Sequence, residues 1–577
     1  MNYAHSIFSK INKEMGLLCI ALFFTSCQTT IVDIEHLTPT AAQYEKNEWQ
    51  VKLKFPFSNP YDADEIALDM HFISPSGQHL VQPCFYYAGD GNKISIWKAR
   101  FAARESGRYT YWFTLKRNAK EIATSKQKEL SIKPSNKKGF LSINNLWTLK
   151  YDNGELFRGI GENFCWESRD EDDSKYFKEL HENKRFNYRD MLIKLAQNKG
   201  NFFRTWMIYW NLPIDWKMVK NNSRYQNSNN FFNESAMERM DWLVDFCDSL
   251  GIHMMLALES HVGYMGIGWE ISKYNAANGG PAKTPYEFFT STEARRQYKN
   301  KLRLMVARYG YSPSIAMWEF FNEIDNVMYH GNPNEHIPDS VITDWHNDMS
   351  SYLKNIDPYK RIITTSISHR DVKGLNDLPH IDINQRHIYK NTDAIPELIN
   401  EYTQKHQKPY IIGEFGYEWD WSKNFDEFKE EMIQDYIKGL WYGLFSPTPV
   451  LPMTWWWEWF DDKGMMHYFK HIQTIHQEML LAGNGNNSSV ASPIVNAKKT
   501  LAVQCGEKTF VYVQLSSPLH EIKLIFNNPA LYEQKIYAYN THNGSYFSVR
   551  KKMINTKMFE ATVWFDSQVD QLILICE

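Results

Sequence analysis

The chain is poor in the features that mark several large protein classes. Its 577 residues contain seven cysteines, and none of them shows the paired spacing of a zinc site. The 64 basic and 67 acidic residues leave a net charge of −3, which gives no reason to expect a polyanionic partner and argues against nucleic-acid binding. No glycine-rich phosphate loop precedes a predicted helix, and no Gly-x-Ser-x-Gly nucleophile motif is present. After the N-terminal region, no stretch is long and apolar enough to cross a membrane.

The first 27 residues predict a targeting segment. Two lysines precede the apolar run 15–24, which is too short for a permanent membrane-spanning helix. Two small residues then stand directly before Cys27, an arrangement that resembles the lipobox of bacterial lipoproteins, in which this cysteine becomes the lipidated first residue. An ordinary secretory peptide with an incidental cysteine is the alternative. We therefore expect an exported protein that is lipid-anchored to the outer membrane through Cys27, on its periplasmic or its cell-surface face.

Hydrophobic patterning divides the rest of the chain into three regions, within the two to four domains that the length predicts. Residues 46–135 contain period-two strands separated by turn residues, which predicts an antiparallel β-sandwich. Residues 140–483 alternate apolar strands with amphipathic helices, which predicts an α/β fold, a (β/α)8 TIM barrel. Period-two strands return over residues 494–577, after the polar linker 484–489, and predict a C-terminal β-sandwich.

Eight segments of the central region have the length and composition of buried strands. Helical stretches separate them, for example Ala236 to Leu250 and Glu293 to Tyr309. The predicted strands cover residues 156–160, 202–207, 252–258, 315–320, 361–366, 383–388, 410–413 and 450–455.

Two glutamates each end one of these apolar runs. Glu323 follows residues 315–322, and Glu414 follows residues 409–413. A carboxylate at the C-terminal end of a buried parallel strand lies on the rim where α/β barrels keep their chemistry. The two acids are about three strand–helix units apart. The pattern therefore predicts an acid pair on one rim, suited to attack a glycosidic bond from one side and to protonate it from the other.

These motifs resemble glycoside hydrolase clan A, whose members are retaining (β/α)8 enzymes with carboxylates on strands four and seven. Asn322-Glu323 is similar to the acid/base motif of the clan, and the segment 413–416 is similar to its nucleophile motif. The resemblance is family 5-like and covers about residues 145 to 480. The flanking regions resemble the immunoglobulin-like domain and the C-terminal β domain that bracket such barrels in glycan-degrading bacterial lipoproteins.

The resemblance implies a role for each motif residue. Glu323 is expected to be the general acid/base, Glu414 the nucleophile and Asn322 a hydrogen-bond partner of the sugar 2-hydroxyl. Two further glutamates are rivals: Glu319, which shares the face of Glu323 in an ideal strand, and Glu418, which follows Glu414. No metal or organic cofactor is implied.

Other residues at predicted strand ends are candidates for substrate contact, although each could equally be a satisfied core residue. Arg204 matches an arginine that family 5-like barrels keep close to the nucleophile, where a cation holds the carboxylate ionised. Trp456 or Trp457, after the eighth strand, is predicted to stack under the sugar at the cleavage point, because pyranose C–H faces stack on indole rings. The remaining candidates are His261, His387, Tyr389 and Asn163.

The combined prediction is a retaining glycoside hydrolase acting on a poly- or oligosaccharide. The alternative is a surface glycan-binding protein on a barrel that no longer turns over, and transglycosylation by the same carboxylates is a third possibility. Outside the barrel, Cys505 and Cys576 could form a disulfide or remain as two buried thiols.

Overall fold

The computed structural model of the protein describes residues 30–327 and 335–577. The predicted leader and its lipidated Cys27 lie outside the described residues. Within the described ranges, no helix has the length and apolar character that crossing a bilayer requires.

Two antiparallel sheets make up the N-terminal region. Their strands are β1 (Ile31–His36), β2 (Asn47–Leu53), β3 (Ala67–Ile73), β4 (His79–Pro83), β5 (Phe85–Gly89), β6 (Ser95–Phe101), β7 (Gly107–Arg117), β8 (Lys120–Thr124) and β9 (Lys128–Ile132). One sheet has the order β1-β2-β6-β5, and the other has the order β4-β3-β7-β8 with β9 also paired to β7. The sheets meet at Trp49 of β2, whose ring lies 5.9 Å from Phe72 and 5.6 Å from Tyr111 on the second sheet. Every second residue of β2 faces the core between the two sheets, and this explains the period-two pattern of the sequence.

A small antiparallel sheet precedes the barrel. Residues 156 and 157 belong to this sheet, so the prediction of a first barrel strand at 156–160 is corrected. Its strands are β10 (Leu141–Ile143), β11 (Leu149–Tyr151) and β12 (Leu156–Phe157). A turn at Gly154, with φ of +89°, directs Leu156 back onto Lys150, so these residues pair in the antiparallel sense. The first regular parallel strand begins at Gly161, after an isolated parallel bridge at Gly159. The small sheet shares an apolar core with residues near the starts of the parallel strands and covers that end of the barrel domain.

Parallel strands occupy most of the predicted positions. They are β13 (Gly161–Asn163), β14 (Phe202–Trp206), β15 (His253–Ser260), β16 (Ile315–Asn322), β17 (Ile362–Thr364), β18 (Ser366–Ile367), β19 (Asn384–Tyr389) and β20 (Tyr410–Gly416). Strands β13 to β17 pair in order, and β18 to β20 form a second parallel sheet, so the predicted fifth strand is divided. The predicted eighth strand is a run of isolated parallel bridges, in which Val450 pairs with Gly159 and Thr454 pairs with Phe415.

Helices lie between these strands and after the last of them. They are α1 (Lys178–His181), α2 (Tyr188–Gln197), α3 (Glu234–Leu250), α4 (Gly266–Ile271), α5 (Pro285–Thr290), α6 (Thr292–Tyr309), α7 (Asp339–Ile356), α8 (Ile395–His406), α9 (Lys429–Leu444), α10 (Trp457–Asp462) and α11 (Tyr468–Gly483). The two helices predicted as examples correspond to α3 and α6. Local signals set the ends of α3, because the Asn233 side chain accepts a hydrogen bond from the Ala236 amide and Gly251 ends the helix in a left-handed conformation.

The C-terminal strands form one continuous sheet. They are β21 (Asn487–Val490), β22 (Lys499–Cys505), β23 (Lys508–Phe526), β24 (Ile536–Asn540), β25 (Tyr546–Ser548), β26 (Arg550–Asn555) and β27 (Met558–Cys576). Val511 and Leu524, from the two halves of the 19-residue strand β23, share one core, so the sheet folds over on itself instead of forming two separate sheets. Tyr512, between them on the opposite face, packs 5.6 Å from Tyr442 of the barrel region.

Cys505 and Cys576 are both buried free thiols. They lie on β22 and β27, the two neighbours of β23. Cys505 belongs to the core shared with the barrel region, whereas Cys576 belongs to the core inside the folded sheet. Their side chains therefore occupy different cores, and the disulfide alternative is wrong.

Candidate active site

Glu323 and Glu414 converge on one pocket beside the C-terminal ends of the parallel strands. One carboxylate oxygen from each, together with a ring nitrogen of His387, lie within 4.8 Å of one another. Carboxyl groups about 5 to 5.5 Å apart are typical of retaining glycosidases, whereas inverting enzymes separate them by about 6.5 to 9.5 Å to admit a water molecule. The spacing therefore favours direct attack by one carboxylate on a sugar.

Glu323 has a backbone conformation that few residues other than glycine adopt. It follows the last residue of β16 with φ of 53° and ψ of 57°, in the left-handed region. This conformation costs roughly 1–2 kcal/mol for an L-residue, so surrounding contacts must hold it. The Glu323 amide donates to Ser366 Oγ at 2.9 Å. The left-handed conformation of Glu323 ends the strand alternation. It therefore separates the Glu323 side chain from that of the rival Glu319.

Glu414 is held by a guanidinium and a phenol. Arg204 Nη1 donates to Oε1 at 2.7 Å, and the Tyr389 hydroxyl donates to Oε2 at 2.6 Å. Burial raises the pKa of Glu414, while the charge of Arg204 and the hydrogen bond from Tyr389 oppose that rise. Both donors stabilise the ionised carboxylate, which is the state that a nucleophile needs.

Glu323 is contacted by two imidazoles and an amide. His387 Nδ1 lies 2.8 Å from Oε1, Asn326 Nδ2 donates to Oε2 at 2.9 Å, and His261 Nδ1 lies 3.6 Å from Oε2. Burial lowers the pKa of His387 to about 4, so this imidazole is uncharged at neutral pH. Burial also raises the pKa of Glu323. Among the residues that the structure describes, no guanidinium donates to Glu323, whereas Arg204 donates to Glu414, so the surroundings of Glu323 suit the role of acid.

Arg204 connects the pair to the strands behind it. Its Nε and Nη2 donate to the two oxygens of Glu319 at 2.6 and 2.8 Å, and Nη2 also donates to Asn322 Oδ1 at 2.7 Å. Glu319 is fully buried and accepts a further hydrogen bond from Gln385 at 2.7 Å. The rival Glu319 is thus the counter-ion of Arg204 and does not line the pocket.

The other rival, Glu418, is engaged elsewhere. It forms ion pairs with Lys390, at 2.9 Å, and with Lys423. Although burial opposes the change, hydrogen bonds from these lysines lower the pKa of Glu418 to about 2. Glu418 does not line the pocket that contains the acid pair.

A cleft of about 800 Å³ lies over the acid pair and is rich in tryptophan. Trp456 and Trp457, the predicted stacking residues, line it but are only 4% and 1% exposed. Trp455 is half-buried, so it presents more ring surface than either neighbour. Strand alternation could not predict which of the three rings faces the sugar. The segment is held by isolated bridges and not by a regular strand, so its side chains do not alternate regularly. The tryptophans that line the cleft are Trp166, Trp206, Trp210, Trp419, Trp421, Trp455, Trp456 and Trp457.

The other predicted contact residues fall into two groups. His261, His387 and Tyr389 line the cleft together with the acid pair. Arg204, Asn322 and Asn163 lie behind it and are at most 1% exposed. The Asn163 amide donates to the carbonyl oxygens of Gly413 and Thr454 at 3.0 and 2.9 Å. Asn163 therefore joins strands, which corrects the prediction that it contacts sugar directly.

Gly413, next to the nucleophile candidate, is required by close packing. A Cβ atom at this position would lie 2.9 Å from His387 Nε2 and 2.8 Å from the Gln385 side chain. Both neighbouring side chains already make contacts with the glutamates, since His387 contacts Glu323 and Gln385 donates a hydrogen bond to Glu319. A larger residue would displace one of them and disturb the acid pair.

Sequence reasoning missed several residues of the cleft wall. Trp419 and Trp421 are 56% and 46% exposed and follow Glu414 closely in sequence, a position that could have identified them as rim residues. Arg169 and Glu458 come from distant segments and carry no local signal. The remaining missed lining residues include His181, Asn326, Ser368 and Arg386.

The closely spaced atoms of Glu323, His387 and Glu414 have the ligand types of a metal site. Both oxygens of Glu414 already accept hydrogen bonds, and the Arg204 guanidinium that donates to one of them would repel a cation. The arrangement therefore suits proton transfer and nucleophilic attack better than metal coordination.

Comparisons with known proteins match two segments of the chain to family models. A family model for the TIM-barrel domain of glycosyl hydrolases family 2 matches residues 217–445, and a model for a domain of unknown function (DUF5060) matches residues 40–116. A mannan endo-1,4-β-mannosidase A of Podospora anserina is 25% identical over 232 residues, which cover 36% of this chain and 58% of that protein. A mannan endo-1,4-β-mannosidase 4 of Solanum lycopersicum is 23% identical over 251 residues, which cover 36% of this chain and 60% of that protein.

The chain thus spans about three fifths of the length of these relatives. Among solved structures, a candidate glycoside hydrolase from Bacteroides vulgatus matches with a TM-score of 0.61 at 13% identity, covering 94% of this chain and 100% of that one. This likeness concerns the fold. Together, the matches and the parallel strands show a mixed α/β protein that contains a glycoside hydrolase TIM-barrel domain.

Proposed function

We propose that the protein is a retaining glycoside hydrolase that cleaves O-glycosidic bonds of a poly- or oligosaccharide by double displacement. The observation that carries the proposal is the approach of Glu323 and Glu414 to within 4.8 Å in an aromatic-lined cleft. Their different surroundings support the proposed roles, in which Glu414, beside Arg204, is the nucleophile and Glu323 is the general acid/base.

In the first step, a Glu414 oxygen attacks the anomeric carbon while Glu323 gives its proton to the leaving glycosidic oxygen. The glycosidic bond breaks, and a glycosyl ester forms on Glu414. In the second step, the ionised Glu323 takes a proton from water, and the resulting hydroxide equivalent attacks the anomeric carbon. The ester bond breaks, Glu414 leaves as a carboxylate stabilised by Arg204 and Tyr389, and Glu323 again carries its proton.

Mannans with β-1,4 linkages are the substrate class that we propose first. Both relatives described above are named mannan endo-1,4-β-mannosidases. The tryptophans of the cleft support a pyranose substrate, since they offer flat apolar surfaces for sugar rings.

Hydrolysis of β-1,4-mannan by the purified protein tests this function. We expect new reducing ends, and proton NMR of the earliest products should show the β anomer before mutarotation. Xylan, β-glucan, galactan and chitin serve as comparison substrates. An α anomer as the first product would contradict the retaining mechanism. Binding of mannan without hydrolysis of any glycan would favour the glycan-binding alternative.

The proposal extends to the organisation of the chain. Residues 46–135 form an immunoglobulin-like β-sandwich, residues 140–483 the catalytic (β/α)8 barrel, and residues 494–577 a C-terminal β domain. Residues 1–27 are a lipoprotein leader, and Cys27 anchors the exported protein to the outer membrane. The two N-terminal sheets and the bridges from Val450 and Thr454 support this organisation, and the lipobox-like sequence supports the anchor.

Labelled palmitate should enter the wild-type protein in bacterial cells but not the Cys27→Ala variant; equal labelling would contradict the anchor.

A further inference from the structure

A second polar cluster lies in the cleft wall, apart from the acid pair. It consists of Arg169, Asp172, His181 and Glu458, which are 8%, 4%, 2% and 4% exposed. Arg169, His181 and Glu458 line the same cleft as the acid pair. Burying so many ionisable groups is unfavourable unless they are paired or serve a ligand. The double-displacement mechanism uses none of them.

The charge of the Arg169 guanidinium is balanced by Asp172. Its Nε lies 2.6 Å from Asp172 Oδ2, and its Nη2 lies 2.9 Å from His181 Nδ1. Burial opposes ionisation of Asp172, but the His181 hydrogen bond and the Arg169 charge together lower its pKa. Burial lowers the pKa of His181. The Arg169–Asp172 pair is therefore neutral overall, and Arg169 lines the cleft beside it.

Glu458 supplies the second polar group of this wall. Its Oε1 is buried and has no hydrogen-bond partner of acceptable geometry among the described residues, although the Trp166 side chain acts on this carboxyl and opposes part of the rise in its pKa. Buried polar atoms without a partner are rare in proteins, and at a cleft wall a ligand can provide the partner. Burial raises the pKa of Glu458 to about 8, so the side chain is an uncharged acid at neutral pH. In that state it can both donate and accept a hydrogen bond, as a sugar hydroxyl requires.

Indole rings frame these polar groups and connect them to the cleavage point. The Arg169 guanidinium carbon lies 5.2 Å from the Trp166 ring centre and 5.5 Å from that of Trp421. Trp421 is 46% exposed and offers ring surface at the rim. Trp166 lies 5.4 Å from Trp455, which ends the predicted eighth strand and lines the cleft with the acid pair. One aromatic wall therefore runs from the polar cluster to the site of cleavage.

We propose that Arg169, Glu458, Trp166 and Trp421 form a second sugar subsite that binds an uncharged pyranose through its hydroxyl groups. The inference rests on the proposed hydrolase function. It further specifies that the sugar unit bound next to the cleavage point is uncharged. A uronate at this position would bring a carboxylate to a guanidinium that Asp172 already neutralises, so its charge would be buried without a counter-ion. A neutral sugar avoids that cost.

Calorimetric titration tests the subsite without turnover when the full chain carries Glu414→Gln. The two probes are β-1,4-mannopentaose and the β-1,4-linked pentamer of mannuronate, which differ by a carboxylate on each ring. We expect the neutral pentamer to bind at least about tenfold more tightly. Adding Glu458→Ala should weaken its binding about tenfold, whereas Glu458→Gln, which keeps an uncharged donor and acceptor, should stay within about threefold.

Glu162→Ala is the matched control in the same background. Glu162 is also a buried carboxyl with an unpartnered Oε1 among the described residues, and burial likewise raises its pKa, but it does not line the cleft. Its removal should leave binding of the neutral pentamer unchanged, with melting temperatures recorded for every variant. Equal weakening by Glu162→Ala and Glu458→Ala would overturn the subsite. So would binding of pentamannuronate as tight as that of mannopentaose, or no binding of mannopentaose. Failure of the hydrolase proposal has a different signature: wild-type protein without hydrolysis, but with Glu458-dependent binding intact.

Discussion

Replacing Glu414 with glutamine should lower kcat/KM by roughly 10⁴-fold or more on any glycan that the wild-type protein hydrolyses. The amide has nearly the same shape and can still accept a hydrogen bond from Arg204, but it cannot form the glycosyl ester. Arg204 also keeps its two hydrogen bonds to Glu319, so the fold should survive. Steady-state kinetics give the loss, and calorimetry with oligosaccharide should show that binding remains.

Glu418→Gln is the matched control for this variant. Glu418 lies close to Glu414 in sequence, but its ion pairs with Lys390 and Lys423 hold it outside the cleft. We expect its kcat/KM to stay within about threefold of wild type, as for most substitutions away from a functional site. Activity retained by Glu414→Gln, or lost equally in both variants, would contradict the assignment of Glu414 as nucleophile.

Replacing Glu323 with alanine should separate the two chemical steps. On a polysaccharide, whose leaving alcohol needs a proton, kcat/KM should fall roughly 10²- to 10⁴-fold. A 2,4-dinitrophenyl glycoside should lose far less in the first step, because its leaving group departs without protonation. The second step lacks its base, so the glycosyl ester should accumulate and give a burst of dinitrophenol in stopped-flow measurements.

Azide and pH provide independent readouts of the same variant. Azide can attack the accumulated ester without a base, and the product should be a glycosyl azide with the configuration of the substrate. In the wild-type protein, kcat/KM should decline on the alkaline side as Glu323 loses its proton. Burial raises this pKa, so the decline should begin above the ordinary carboxyl range. The alanine variant should lack this decline. If azide fails to restore turnover and the alkaline decline persists, Glu323 is not the acid/base.

The positions of the acid pair could be predicted because local patterns fix them. Buried parallel strands are apolar runs, and the polar residue that ends such a run falls on the rim whatever the rest of the chain does. Glu323 and Glu414 satisfy this rule, and the structure brings them together. Arg204 lies inside its strand and not at its end. Its positive charge in an apolar segment nevertheless indicated that a buried carboxylate would be its partner.

Other features depended on contacts that no local pattern encodes. Leu156 looks like the start of a barrel strand, but the preceding turn returns it to a short antiparallel sheet. Asn163 therefore ends a strand that begins later than predicted, and its amide reaches backbone carbonyls of two distant segments. Arg169 and Glu458 line one cleft although almost three hundred residues separate them. Spatial neighbours of this kind require the fold to be known.

The left-handed backbone of Glu323 has a consequence for attempts to make the protein more heat-resistant. Glycine would relieve the unfavourable dihedral angles there, so a search guided by folding free energy alone would favour its introduction. That exchange would delete the carboxyl group on which proton transfer depends. An engineer should therefore exclude this position from any stabilising library, because robustness and turnover place opposite demands on a single residue.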